Sequence, residues 1–76
     1  MTEEQITEIK KRIKGSREKR GYSVKEIADI VGVCVQAVYK WENTGETYPT
    51  VLPTLDNIVR FCELLNVSAD YLLFGK

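Results

Sequence analysis

The side chains best placed for chemistry in this chain are amides, hydroxyls and cations. Gln36, Tyr39, Lys40 and Asn43 fall at i, i+3, i+4 and i+7, and Val35 joins them, so a helix through this stretch presents all five on one face. The chemistry of such a face is hydrogen bonding to a partner, with no bond made or broken. A second concentration lies upstream. Between Ile9 and Lys25 stand Lys10, Lys11, Arg12, Lys14, Arg17, Lys19, Arg20 and Lys25, opposed only by Glu18. A local basic field of this kind attracts phosphate even in a chain whose net charge is zero. The competing reading is that these bases merely solvate a helix face.

Other chemistries find little to use. The chain has no histidine, and its two cysteines, Cys34 and Cys62, lack CxxC spacing, so no metal site is expected. Free thiols suit a reducing compartment, and Cys34 reads as a small, half-buried residue. No nucleophile-base arrangement, glycine-rich phosphate loop or paired-carboxylate pocket stands out, so an enzyme is not expected and no cofactor is implied. Apolar runs such as Val33-Cys34-Val35 are far too short to span a bilayer. The amino end, MTEEQITEIK, lacks the apolar core of a signal peptide. The expected location is the cytoplasm, with no membrane partner.

These residues must be positioned by a small scaffold. Seventy-six residues make one domain. Its core leaves a margin of roughly 3–5 kcal/mol. The pattern is helical throughout, with helices expected at about 3–20, 24–31, 35–43, 55–65 and 69–74. Thr2 to Gln5 and Ser23 to Glu26 are both capping boxes, and Tyr22 with Ile27 has the spacing of a hydrophobic staple. Ile6, Ile9 and Ile13 mark a buried stripe whose extension reaches Ser16, Arg17 and Arg20, so Arg17 needs a partner. Gly21 stops the first helix. In the second, Ile27, Ile30 and Val31 face inward and Ala28 allows close approach; Gly32 then supplies the positive φ of a sharp turn.

The third helix has a poor N-cap in Cys34, which costs about 1 kcal/mol against serine or threonine. Its inward residues are Val38, Trp41 and Glu42. Residues 44–52 read as a loop containing Pro49, after which Thr54 caps a fourth helix striped by Leu55, Ile58, Val59, Cys62 and Leu65. Ser68 caps a last short helix in which Tyr71, Leu72, Leu73 and Phe74 exceed what one face can bury. A short helix, a glycine turn and a second helix are the elements of a helix-turn-helix, whose second helix enters a DNA major groove.

The chain resembles the phage-repressor family of helix-turn-helix domains, the lambda repressor/Cro/Xre type. Ala28, Gly32 and Val38 carry the likeness at their mutual spacing, flanked by Ile27, Val31, Val33 and Trp41. REKRGYSVKEIA before them, and WEN and PTLDNIVRFCELLNVSADYLL after them, extend it over roughly residues 9–74. The resemblance implies a compact all-α fold of five helices, double-stranded DNA as partner and a transcription-regulating, repressor-type role. It implies base contacts from the third helix by Val35, Gln36, Ala37, Tyr39 and Lys40, with glutamine able to pair bidentately with adenine. Phosphate contacts are expected from Lys25, Asn43, Thr44, Thr47 and Tyr48. The family's arginine late in helix one and glutamate late in helix three match Arg17 and Glu42, a structural brace. Its carboxy-terminal dimers imply a homodimer through Tyr71, Leu73 and Phe74.

The chain also departs from the pattern. Val24 replaces the glutamine that often clamps a phosphate at the start of the second helix. Thr44 occupies the place of the usual closing glycine, a role that would pass to Gly45, and the following loop is about five residues longer, within the ordinary range for connections. A net charge of zero and Val24 favour a second function class, a protein-interaction or antitoxin-like module that keeps the fold with weak or no DNA binding.

Overall fold

The computed structural model describes residues 2–45 and 51–76. The expectations on Thr47 and Tyr48 lie outside the described residues. Five helices follow in order: α1 (Glu3–Lys19), α2 (Val24–Val31), α3 (Val35–Glu42), α4 (Leu55–Leu65) and α5 (Ala69–Phe74). There is no strand among the described residues. None of these helices is long and apolar enough to cross a membrane.

Local signals explain most of the helix ends. Thr2 Oγ1 accepts from the Gln5 amide while Gln5 returns a carbonyl to Thr2 N–H, and Ser23 and Glu26 repeat the exchange at α2. Thr54 and Ser68 cap α4 and α5 through the Asn57 and Tyr71 amides. Gly21, Gly32 and Gly75 adopt positive φ just beyond α1, α2 and α5, and Asn66 does so beyond α4.

The core is one cluster: Ile9 and Ile13 of α1, Ile27, Ala28 and Val31 of α2, Val38 and Trp41 of α3, Phe61 and Leu65 of α4, and Leu72 of α5. α1 packs on α3 and α5, while α2 packs on α3 and α4. Burying these side chains is the main stabilising term, at about 1.5–3 kcal/mol for each large aliphatic or aromatic residue.

Four expectations are corrected by the packing. Ile30 is exposed, because the buried arc of α2 turns toward Ala28, whose small side chain lets a neighbouring helix approach, and away from Ile30. Leu55 and Val59 are exposed in α4, because Phe61 enters the core and rotates the inward face toward Phe61 and Leu65. Cys34 is exposed rather than half-buried. Lys10, grouped above with the surface bases, has 0% of its surface exposed.

Candidate nucleic-acid interface

α2 and α3 form a helix-turn-helix around Gly32, at φ 86°. Gly32 and Val33 both donate to the Ala28 carbonyl at 2.9 Å, which fixes the turn between the helices. On α3, Val38, Trp41 and Glu42 are buried. Gln36, Tyr39 and Asn43 are exposed, Tyr39 by 58%, as is Thr44 beyond the helix. Lys40 is half-buried, and Val35 and Ala37 are half-buried and packed partly on the core. The outer surface of α3 is therefore led by one carboxamide at its amino end, a phenol in its middle and a second carboxamide at its exit. Lys25 is exposed on the first turn of α2.

Below this surface lies a shallow cleft lined by Lys14, Arg17, Val24, Tyr39, Glu42 and Asn43. It joins α1 to the open ends of both motif helices. Arg17 Nε donates to Glu42 Oε2 at 2.7 Å, and Nη2 donates to Oε1 at 3.0 Å, a bidentate pair. Arg17 Nη1 also donates to the Tyr22 carbonyl at 2.8 Å. The hydrogen bond to Glu42 raises the Arg17 pKa, against the opposing effect of burial, so the guanidinium stays charged. The pair ties the last turn of α3 to α1 and to the entry of α2 at once.

Part of the basic run is turned inward or tied to backbone: Lys10 is buried and Arg12 and Arg17 are half-buried, while Lys11, Lys14, Lys19, Arg20 and Lys25 are exposed. Lys10 Nζ donates to the carbonyls of Lys40 at 2.5 Å and Val51 at 2.7 Å. Burial lowers the Lys10 pKa. Arg12 Nη1 donates to Leu72 O at 3.3 Å and Arg20 Nε to Leu65 O at 3.0 Å. From α4, Arg60 Nη1 donates to Val31 O at 3.1 Å. Cations thus meet carbonyls near the carboxy ends of α2, α3, α4 and α5, where the helix dipole favours them. Lys11 sits 3.6 Å from Glu8 on the same helix. Lys14, Lys19 and Lys25 have no hydrogen bond or ion pair among the described residues, and they face outward with Lys11 and Arg20.

The sequence reading missed two residues here. Lys14 borders the cleft without having been singled out. Lys10 sits four residues after Ile6 and three before Ile13, so the isoleucine stripe already placed it on the buried face.

The helix-turn-helix family model matches residues 13–72 of this chain. The chain belongs to the phage-repressor-type helix-turn-helix family of DNA-binding domains. Among solved structures it is similar to the P22 c2 repressor protein, whose structure was determined in complex with synthetic operator 9T in the presence of Tl+. The two share 31% identity and superpose with a TM-score of 0.73, covering 90% of this chain and 96% of that one. No curated protein matches the chain. Membership in this helix-turn-helix family makes α2 and α3 its motif, and the all-α, five-helix architecture is that of the repressor-like fold.

Proposed function

We propose that this chain is a DNA-binding transcriptional regulator of repressor type that lays α3 in the major groove. The observation that carries the reading is the outward face of α3, with Gln36, Tyr39 and Asn43 exposed on a helix braced from behind by Arg17 and Glu42. In this reading Gln36 reads a base edge, Tyr39 and Lys40 reach bases or phosphate one turn on, and Val35 and Ala37 offer apolar contact to thymine methyl groups. Lys25, Asn43 and Thr44 anchor phosphates, joined by Thr47 and Tyr48. The P22 c2 repressor, similar over most of its length, was solved on operator DNA, which supports the same partner for this chain. The reading places the protein in the cytoplasm and needs no cofactor or metal.

The proposed active form is a homodimer. In α5 Leu72 is fully buried while Phe74 is 63% and Tyr71 41% exposed, with Leu73 half-buried beside them. A two-fold contact through Tyr71, Leu73 and Phe74 covers this apolar end and gives a two-part DNA site.

Selection of bound sequences from random double-stranded DNA tests the proposal. A palindromic motif is the expected outcome, and log K should fall steeply with log salt. No enrichment, or a flat salt response, would count against it. One observation favours a second reading, a protein-interaction or antitoxin-like module. Lys10, Arg12 and Arg17 are occupied inside the fold and the exposed Arg20 is tied to the Leu65 carbonyl, which thins the phosphate-facing charge. Under that reading Gln36→Ala with Lys40→Ala leaves partner binding through α5 intact.

A further inference from the structure

α3 ends unlike the other four helices. Beyond α1, α2, α4 and α5 the chain enters the left-handed region at Gly21 (φ 75°), Gly32 (86°), Asn66 (54°) and Gly75 (75°). That conformation turns the following amides back onto the last carbonyls. Tyr22 N–H reaches Arg17 O at 3.2 Å, Val33 reaches Ala28 O at 2.9 Å and Val67 reaches Cys62 O at 3.1 Å. α3 instead runs into Asn43 at φ −75°, ψ 116°, which is extended backbone. Neither Thr44 nor Gly45 has a positive φ, so Gly45 does not take over the closing role expected of it. Its amide is held by Asn43 Oδ1 at 2.7 Å.

Among the described residues the last backbone hydrogen bond of α3 is Asn43 N–H to Tyr39 O, at 2.9 Å. The next carbonyl, that of Lys40, is met by a side chain thirty residues away, the ammonium of Lys10 at 2.5 Å. The same ammonium holds Val51 O at 2.7 Å. Lys10 has 0% of its surface exposed and lies on the isoleucine face of α1, so its stem packs as core while its head supplies donors to the carbonyls of two half-buried residues. A cation placed there cannot reach a phosphate. Its geometry serves the end of α3.

We propose that Lys10 is a positioning residue for the DNA interface. It caps α3 in place of a left-handed residue, and so lets the chain leave the helix extended, with Asn43 and Thr44 turned outward. The interface part of this inference rests on the DNA-binding reading above. The capping part does not. A left-handed closure would fold the backbone over the helix end and redirect both side chains. Lys10 satisfies the carbonyl without that fold-back and fixes Val51 against the same point.

Lys10→Met keeps the apolar stem and removes the donors. Hydrogen exchange on the full chain without DNA should show the Asn43 amide exchanging on the order of tenfold faster, with α2 and α5 unchanged, as expected for losing one charge-assisted bond. Affinity for a DNA site selected with the unaltered protein should weaken on the order of tenfold, measured where circular dichroism shows both proteins folded. Adding Thr44→Gly restores a backbone closure, so protection at Asn43 should return while affinity stays low. Unchanged exchange at Asn43, or a uniform rise along the chain, overturns the capping role. A local change with full affinity overturns the positioning role. Should Lys10→Met fail to fold, the double variant decides: folded and weak in binding supports the proposal, unfolded overturns it. If the unaltered protein selects no DNA, the DNA-binding reading fails alone, and the exchange measurement still decides whether Lys10 caps α3.

Discussion

α2 and α3 are the same length and lie side by side, yet they are held in opposite ways. α2 carries its own instructions: a reciprocal capping box at Ser23 and Glu26, and Gly32 in the left-handed region at its end. α3 has no side-chain cap at Cys34 and leaves into extended backbone at Asn43. Its hold comes from elsewhere in the chain. Arg17 grips Glu42 from α1, and Lys10 grips the Lys40 carbonyl from the same helix. The difference teaches how a reading helix can vary without losing its place. Because its fixings lie mostly on its buried side and on another helix, the outward side chains of Gln36 and Tyr39 carry no part of the scaffold, while Asn43 only ties the Gly45 amide beyond the helix end.

The largest way to break this comparison is at the Arg17–Glu42 pair. Their side chains are only 12% and 6% exposed, so Glu42→Ala strands a guanidinium away from water. The expected loss is about 3–5 kcal/mol, the cost of removing one partner of a buried pair. In a protein of this size that is most of its stability. Urea unfolding of Glu42→Ala against Arg17→Met with Glu42→Leu makes the test, and the apolar double variant should be much the milder. A loss below about 1 kcal/mol for Glu42→Ala would mean that α3 is not held from outside.

Next in size is the face that carries no scaffold role. Gln36→Ala should leave unfolding within about 0.5 kcal/mol of the unaltered protein, as exposed helix substitutions generally do. Its affinity for a selected site should drop by about 1–3 kcal/mol, with relaxed preference at the contacted base pair. If stability falls as well, Gln36 belongs to the scaffold and the separation of faces is lost.

The same contrast explains what was legible in the sequence. The five helices, the glycine turn and the core stripe of α1 follow from periodicity and caps within a few residues of each other. The partner of Arg17 was reached too, from the family's pattern and from a charge stranded on an apolar stripe. Contacts across the fold were harder. Ile30, Leu55 and Val59 fit an apolar period but are exposed, since the period alone does not say which of two adjacent arcs a neighbouring helix will cover. Ala28 and Phe61 decide that, through their sizes. Lys10 was hidden for another reason. Its position in the stripe pointed inward, yet its residue type suggested solvent, and the carbonyls that offset its burial come from residues 40 and 51.

A smaller effect sharpens the comparison at the two helix starts. Ser23→Ala removes a working cap from α2 and should cost about 1 kcal/mol. Cys34→Ser supplies a missing cap to α3 and should gain a similar amount, about 0.5–1 kcal/mol. Opposite signs from equivalent positions are the expected result, read as shifts in urea midpoint at constant m-value. Equal and negligible shifts would show that tertiary packing alone sets both starts.

The smallest expected effect tests the local control of α2 through pH. Glu26 accepts the Ser23 N–H at 3.0 Å, and this contact, with the Ser23 hydroxyl, holds its carboxyl below the ordinary range. A carboxyl depressed in the folded state binds fewer protons there than in the unfolded chain. Its contribution is therefore complete above the unfolded value of about 4.3 and is lost as pH falls through the lower folded value. Glu26→Gln keeps an acceptor for the capping box but cannot titrate. The difference in urea midpoint between the two proteins should be constant from neutral pH down to about 5 and should shrink below about 4.3. Other carboxylates titrate in the same range, but they do so equally in both proteins and cancel from the difference. A difference that does not change with pH would mean that the Glu26 charge adds nothing to the cap, leaving the start of α2 to Ser23 and the Tyr22–Ile27 spacing.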